Sequence, residues 1–222
     1  MKVKVLYEDS NILAIDKPPG ILVHPDQRSK EKTILDLLSK KYPKMEIVHR
    51  LDKETSGVLL VAKNKKAHEF LKKQFQDRIV KKTYVAIVSG SVKNERGVIN
   101  KPIGRSPADF RRYSATRGAR GEMREAITQY RVLKRFETPG KFTYLEIRPK
   151  TGRTHQIRVH MKAINHPVTC DPLYNPKGAC PKGIKRLALH AKSIEFRNLK
   201  GETIKVESPL PSEFKKVVKN VS

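Results

Sequence analysis

His49-Arg50-Leu51-Asp52-Lys53-Glu54-Thr55-Ser56-Gly57 runs without a break into Val58-Leu59-Leu60-Val61, a polar turn feeding a short apolar run. Asp52 is a carboxylate crowded by Arg50 and Lys53. An Asp in a turn ordinarily caps a helix or binds nearby backbone amides, so Asp52 takes its meaning from the rest of the chain. Outward from this stretch, short alternating runs read as strands: Lys2 to Tyr7, Ile12 to Asp16, Thr83 to Val88, Ala126 to Leu133, Phe142 to Ile147 and Leu187 to Phe196. They outnumber the segments with helical spacing. Those are Thr33 to Lys41 with Thr33 as N-cap, Asn64 to Asp77, and Thr154 to Ile164, with a short last helix starting at Ser212. Turns and loops separate most strands, without the regular βαβα alternation of a doubly wound sheet. The pattern predicts an α+β fold with a mixed, largely antiparallel central sheet and peripheral helices.

The chain has 222 residues, of which 37% are hydrophobic, enough for a core without staples. No internal repeat or Gly/Ser linker divides it, so a single catalytic domain over 1–222 is expected. Lys and Arg number 48 against 22 acidic residues, a formal net charge of +26. That excess exceeds what solubility needs and points to a polyanionic partner, nucleic acid first. The amino terminus alternates in polarity and is no signal peptide, and no apolar run approaches spanning length, so a cytoplasmic, non-membrane protein is expected. Cys170 and Cys180 match no metal or redox spacing and read as free thiols. His155 and His160 lie five apart and turn to different faces of a helix, so no metal is predicted.

Residues 105–121 stand out in composition. Arg105, Arg111, Arg112, Arg117 and Arg120 face only Asp109, with Phe110 and Tyr113 interleaved. This reads as a long, basic, mobile loop that grips phosphates and stacks on bases. A second dense segment, Arg148-Pro149-Lys150-Thr151-Gly152-Arg153-Thr154-His155-Gln156-Ile157-Arg158-Val159-His160, leads through a Thr-Gly turn into a helix capped by Thr154. Amides of its first turn, with Arg153 beside them, suit a phosphate, and Arg158 one turn further in could reach a carboxylate elsewhere. P-loop, dinucleotide, GxSxG and HExxH patterns are all absent. Clustered carboxylates of a metal-dependent nuclease are absent as well.

Taken in order, His49-Arg50-Leu51-Asp52 with Thr55-Ser56-Gly57, then Lys81-Lys82-Thr83-Tyr84, then Thr151-Gly152-Arg153-Thr154-His155-Gln156-Ile157-Arg158-Val159-His160 closely resemble the RluA-type pseudouridine synthases. Lys17-Pro18-Pro19-Gly20, His24-Pro25, Lys101-Pro102-Ile103-Gly104-Arg105 and Leu187-Ala188-Leu189-His190-Ala191 are similar to that family too. The likeness runs from about residue 5 to 210. It departs at Cys170-Asp171, where the family usually has Gly before the Asp. Family members often carry an amino-terminal S4-type RNA-binding domain; the motifs here start near the first residue, so a catalytic part without that domain is expected.

The resemblance implies isomerisation of uridine in tRNA or rRNA to pseudouridine, by cleavage of the N1 glycosidic bond and rejoining at C5, with no cofactor and no metal. Chemistry at C1′ and C5 needs the nucleotide out of the stack, so a uridine flipped from a loop or bulge is the expected substrate, and a monomer is expected. The same fold could instead serve as a non-catalytic RNA-binding or ribosome-assembly protein. By resemblance Asp52 is the catalytic carboxylate, attacking C1′ or C6 or removing a sugar proton. Arg158 pairs with it, and Tyr84 stacks on the uracil or removes the C5 proton. Arg50 contacts the RNA backbone or replaces the flipped base, and Leu187 or Leu189 floors the pocket. His49, Arg153, Thr154, His155, Gln156, Arg105, Arg111 and Arg112 complete the expected RNA contacts.

Overall fold

The computed structural model describes residues 3–25, 31–116 and 118–219. Along the chain come β1 (Lys4–Glu8), β2 (Ile12–Lys17), α1 (Ile34–Leu38), β3 (Glu46–Ile47), β4 (Ser56–Ala62), α2 (Lys65–Gln76) and β5 (Lys81–Ser89). There follow β6 (Arg96–Asn100), β7 (Ile103–Arg105), β8 (Tyr113–Ser114), β9 (Arg120–Arg124), β10 (Ile127–Glu137), β11 (Lys141–Pro149) and α3 (Gln156–Ala163). The last elements are β12 (Leu189–Arg197), β13 (Thr203–Glu207) and α4 (Ser212–Lys219). The class is α+β, as the strand-rich pattern predicts. Two compact units share these elements, Met1–Lys82 with His190–Pro209 and Thr83–Leu189 with Leu210–Ser222.

In the first unit β1 pairs antiparallel with β2, and β2 with β4, where Ile12 faces Ala62. β12 joins β4 in parallel, His190 opposite Ser56 and Ala191 opposite Gly57, while β13 pairs antiparallel with β12. Every residue of β4 is buried. A strand buried on both faces needs the continuous apolar run that follows Gly57, not an alternating one. Asn64 caps α2 by accepting the Ala67 N–H, and Ala67 and Leu71 face a core of Ile12, Ala14, Val58, Leu60 and Phe196. Thr33 and Asp36 form a reciprocal capping box on α1, which is shorter than its spacing predicts.

The second unit is an antiparallel set in the order β5, β11, β10, β6. Its core gathers Val85, Ile87, Leu145, Ile147, Ile157, Met161, Leu187, Leu189 and Phe214. A separate small sheet, β8-β7-β9, takes in the segment expected to be one long loop, with β7 and β9 at its two ends and β8 in its middle. It is anchored where Ile103 packs with Val159 of α3, Ala126 and Tyr174, against which Tyr113 also lies. Two-residue and three-residue strands carry too little alternation to be recognised from sequence, and only this anchoring makes them strands. The cysteines need a correction as well: Cys170 and Cys180 are joined as a disulfide, not free. Two cysteines ten positions apart that folding brings together leave no trace in spacing. No helix among the described residues is long and apolar enough to cross a membrane.

Gly57 explains the end of the Thr-Ser-Gly motif. Its φ is +111°, in the left-handed region, and a Cβ there would run into the Ala191 backbone on β12. Gly57→Ala should therefore destabilise the protein by roughly 3 kcal/mol or more, the upper range for overpacking. Chemical denaturation would show it as a lowered midpoint, and an unchanged midpoint would contradict the close approach.

Candidate active site

Asp52 is half-buried at the start of a turn that ends at β4, its carbonyl accepting the Thr55 N–H at 3.0 Å. That turn is braced from below by Lys17, whose side chain is fully buried. Its ammonium donates to the carbonyls of Pro18 at 2.9 Å, Ile21 at 2.8 Å and Lys53 at 2.9 Å. The Gly20 N–H reaches the same Lys53 carbonyl at 2.9 Å. A buried ammonium is tolerated only when its donors are engaged, so Lys17-Pro18-Pro19-Gly20 wraps its own cation and ties it to the residue after Asp52. Further along, buried Ser56 Oγ lies 2.9 Å from His190 Nδ1, linking β4 to β12 beside the parallel pairing.

His49, expected among the RNA contacts, is engaged by the protein itself. Its Nε2 accepts the Leu60 N–H at 2.9 Å, and its ring stacks on Phe75 with centroids 5.0 Å apart. An accepting Nε2 requires the neutral ring with the proton on Nδ1. Burial, reinforced by the Lys82 cation, pushes the imidazole down to about 3. Arg50, by contrast, is exposed, with Nη1 at 3.4 Å from His24 Nε2.

In the second unit Arg158 and Asp171 form a buried two-pronged pair. Nε meets Oδ2 at 2.7 Å and Nη2 meets Oδ1 at 2.8 Å, with Arg158 5% and Asp171 0% exposed. Burial alone would raise the Asp171 carboxyl, but the guanidinium and the amides of Tyr174 and Leu173 outweigh it and hold it below the ordinary range. Asp171 is a carboxylate that the sequence reading did not assign to Arg158. Only its closeness to the helix in sequence could have suggested it. Cys170, just before it, has φ +55°, which gives a physical reason for the usual Gly: the position is left-handed.

The start of α3 also differs from expectation. His155, not Thr154, takes the N-cap place, in a left-handed conformation with φ 55° and without a side-chain cap bond. Gln156 is buried and satisfied internally, its Oε1 accepting from Thr151 Oγ1 and the Arg153 N–H and its Nε2 donating to Ile127 and Thr128. Arg153 donates through Nε to the Glu125 carbonyl at 2.9 Å. The Thr-Gly-Arg-Thr-His-Gln run is therefore largely a lock between α3 and β10. His160 completes it, its Nε2 2.9 Å from the Lys101 carbonyl and its Nδ1 2.9 Å from Thr128 Oγ1.

Tyr84 is half-buried on β5 opposite Ile147 and packs against the second core, which also contains Leu187 and Leu189. On the small sheet, Arg105 lies 4.7 Å over the Tyr113 ring and donates to the Phe110 carbonyl. Phe110 is 66% exposed. Asp109 binds Arg111 at 2.9 Å and Arg112 at 3.3 Å, and the Arg111 bond first of all draws its carboxyl down to about 2. Arg117 lies outside the described residues.

A family model described as RNA pseudouridylate synthase matches residues 11–163. This chain belongs to that family. It is 38% identical over 234 residues to the ribosomal large subunit pseudouridine synthase D of Xanthomonas campestris, covering 97% of this chain and 68% of the relative. It is also 37% identical to the protein of that name from Pseudomonas aeruginosa, covering 96% of this chain and 70% of the relative. Among solved structures, human RNA pseudouridylate synthase domain containing 1 superposes with a TM-score of 0.81 at 27% identity, covering 95% of this chain and 84% of that one. The pseudouridine synthase is thus an RNA isomerase of α+β fold, and RNA is its partner.

Because native His49 resists protonation, with its value near 3 against 6.5 for a free imidazole, the unfolded synthase binds a proton that the native one refuses. Stability from this group is full above about pH 6.5 and falls steadily as pH drops toward 3. His49→Gln lacks that component, so the wild type's advantage in melting temperature at pH 7 should shrink at pH 5. Parallel melting curves for the two proteins across that range would count against a neutral, shielded His49.

Proposed function

We propose that the synthase converts uridine to pseudouridine in large-subunit ribosomal RNA in the cytoplasm, with Asp52 as the catalytic carboxylate. The substrate class is inferred from relatives of nearly full coverage of this chain whose names specify that RNA. The observation that carries the assignment of Asp52 is the brace beneath its turn, where Lys17 and Gly20 both bind the Lys53 carbonyl. A reacting carboxylate needs a fixed position, and a turn held by a buried cation supplies one.

In the reaction the N1–C1′ bond breaks, the uracil turns, C5 bonds to C1′, and the C5 proton leaves while N1 gains one, so the product is an isomer. Attack on C1′, attack on C6 and proton removal from the sugar all require an ionised carboxylate at the same place. Arg158 is assigned to orient and stabilise Asp52. A guanidinium has five N–H donors in a rigid plane, and Asp171 fixes that plane through two of them. Tyr84 is assigned to stack on the base and to take the C5 proton. Arg50, exposed at the rim of the Asp52 turn, suits the RNA backbone or the vacated place of the flipped base.

Position-resolved pseudouridine mapping of total RNA, in cells with the gene intact, deleted or carrying Asp52→Asn, tests the reading. Deletion and Asp52→Asn should abolish the same sites in large-subunit RNA; sites lost only on deletion would make the protein a guide for another enzyme. Tyr84→Phe should still cleave the glycosidic bond but stall before product release, and full turnover by this variant would remove its role as base.

A further inference from the structure

Tyr174 has no place in the sequence reading, yet three elements of the second unit meet at it. It is 3% exposed. Its hydroxyl accepts the Tyr113 N–H from β8 at 2.9 Å and lies 2.9 Å from Nδ1 of His155 at the start of α3. Its ring sits beneath the Arg158 guanidinium at 4.9 Å, and its own N–H binds Oδ1 of Asp171 at 2.9 Å. The chain of contacts continues outward. The His155 ring meets Tyr113 edge-on at 5.9 Å, and Arg105 stacks over Tyr113.

We propose that Tyr174 is a positioning residue that couples RNA held by the β7-β8-β9 sheet to the orientation of Arg158. Arg105 and its neighbours present guanidinium groups at the outer end of this chain, where phosphates would bind. A hydroxyl has one donor and two acceptor sites, so Tyr174 can hold the β8 amide and the His155 ring together. A shift of β8 on binding RNA therefore moves a ring that lies directly against the guanidinium. The loop that carries Asp171 and Tyr174 is closed at its ends by Cys170 and Cys180, which limits how far Tyr174 can move independently of Asp171. RNA binding at the small sheet and the rate of the chemical step thereby become linked.

The proposal rests on the assignment of Arg158 to the reaction, and the experiment separates the two. Single-turnover rates and RNA affinities are measured for wild type, Tyr174→Phe, Arg105→Ala and the double variant, on a stem-loop whose modification is lost with Asp52→Asn. Tyr174→Phe removes one oxygen and should slow the single-turnover step by about tenfold, a typical coupling between sites, while affinity stays within about twofold. Arg105→Ala should weaken binding and slow the step in wild type, but in the Tyr174→Phe background it should weaken binding alone. Multiplicative rate effects, or a Tyr174→Phe rate equal to wild type, would overturn the coupling. Melting curves are recorded alongside; if Tyr174→Phe fails to fold, His155→Ala breaks the same chain one link outward and, being itself among the expected RNA contacts, is judged by its single-turnover rate with and without Arg105→Ala, not by affinity: multiplicative rate effects would overturn the coupling. Full activity in Arg158→Lys would instead remove the Arg158 assignment itself.

Discussion

A cation buried without water must have its N–H groups taken up by the protein, and around Lys17 that requirement organises the turn bearing Asp52. Three carbonyls converge on its ammonium, and one of them belongs to the residue after Asp52. Removing the charge would leave those carbonyls facing an apolar interior, a cost of a few kcal/mol. The brace is therefore cooperative: β2, the Pro-Pro-Gly turn and the Asp52 turn keep their places together or not at all. The parallel contact of Gly57 with Ala191 acts at the other end of the same short segment.

The second unit applies the same physics with the signs reversed. There the buried carboxylate of Asp171 is held by a guanidinium and two amides. A buried ion pair is weak evidence for stability, because desolvation offsets most of the attraction. Its value is geometric: the planar fork fixes the direction of Arg158. Asp171 therefore gives the guanidinium a direction that need not be found anew from one moment to the next, as Lys17 gives the Asp52 turn a fixed place.

Much of the architecture was legible. The β2, β5, β10 and β11 strands show their alternating or continuous apolar patterns, and α2 shows both its apolar face and its Asn64 cap. The order of the motifs along the chain is enough to indicate the family. The start of α3 is not where residue type puts it: Thr154 is a good capping residue by type, whereas the boundary lies beside Gln156, which bonds to β10 and Thr151. Residues 105–121 looked like a loop because their strands are short and polar, and their pairing depends on Ile103 and Tyr113 packing beside Tyr174.

The sequence by itself determined the class of fold, the basic character that suits RNA, and the identity of the residues in the Asp52 and Arg158 motifs. These depend on local pattern and on residue type. Tertiary structure alone decided that His49 and Gln156 hold the protein's own backbone, that Asp171 is a carboxylate paired with Arg158, and that Cys170 meets Cys180. Such partnerships join segments that no sequence periodicity links. They are selected by which polar groups burial would otherwise leave unsatisfied, a condition that exists only once the chain has folded.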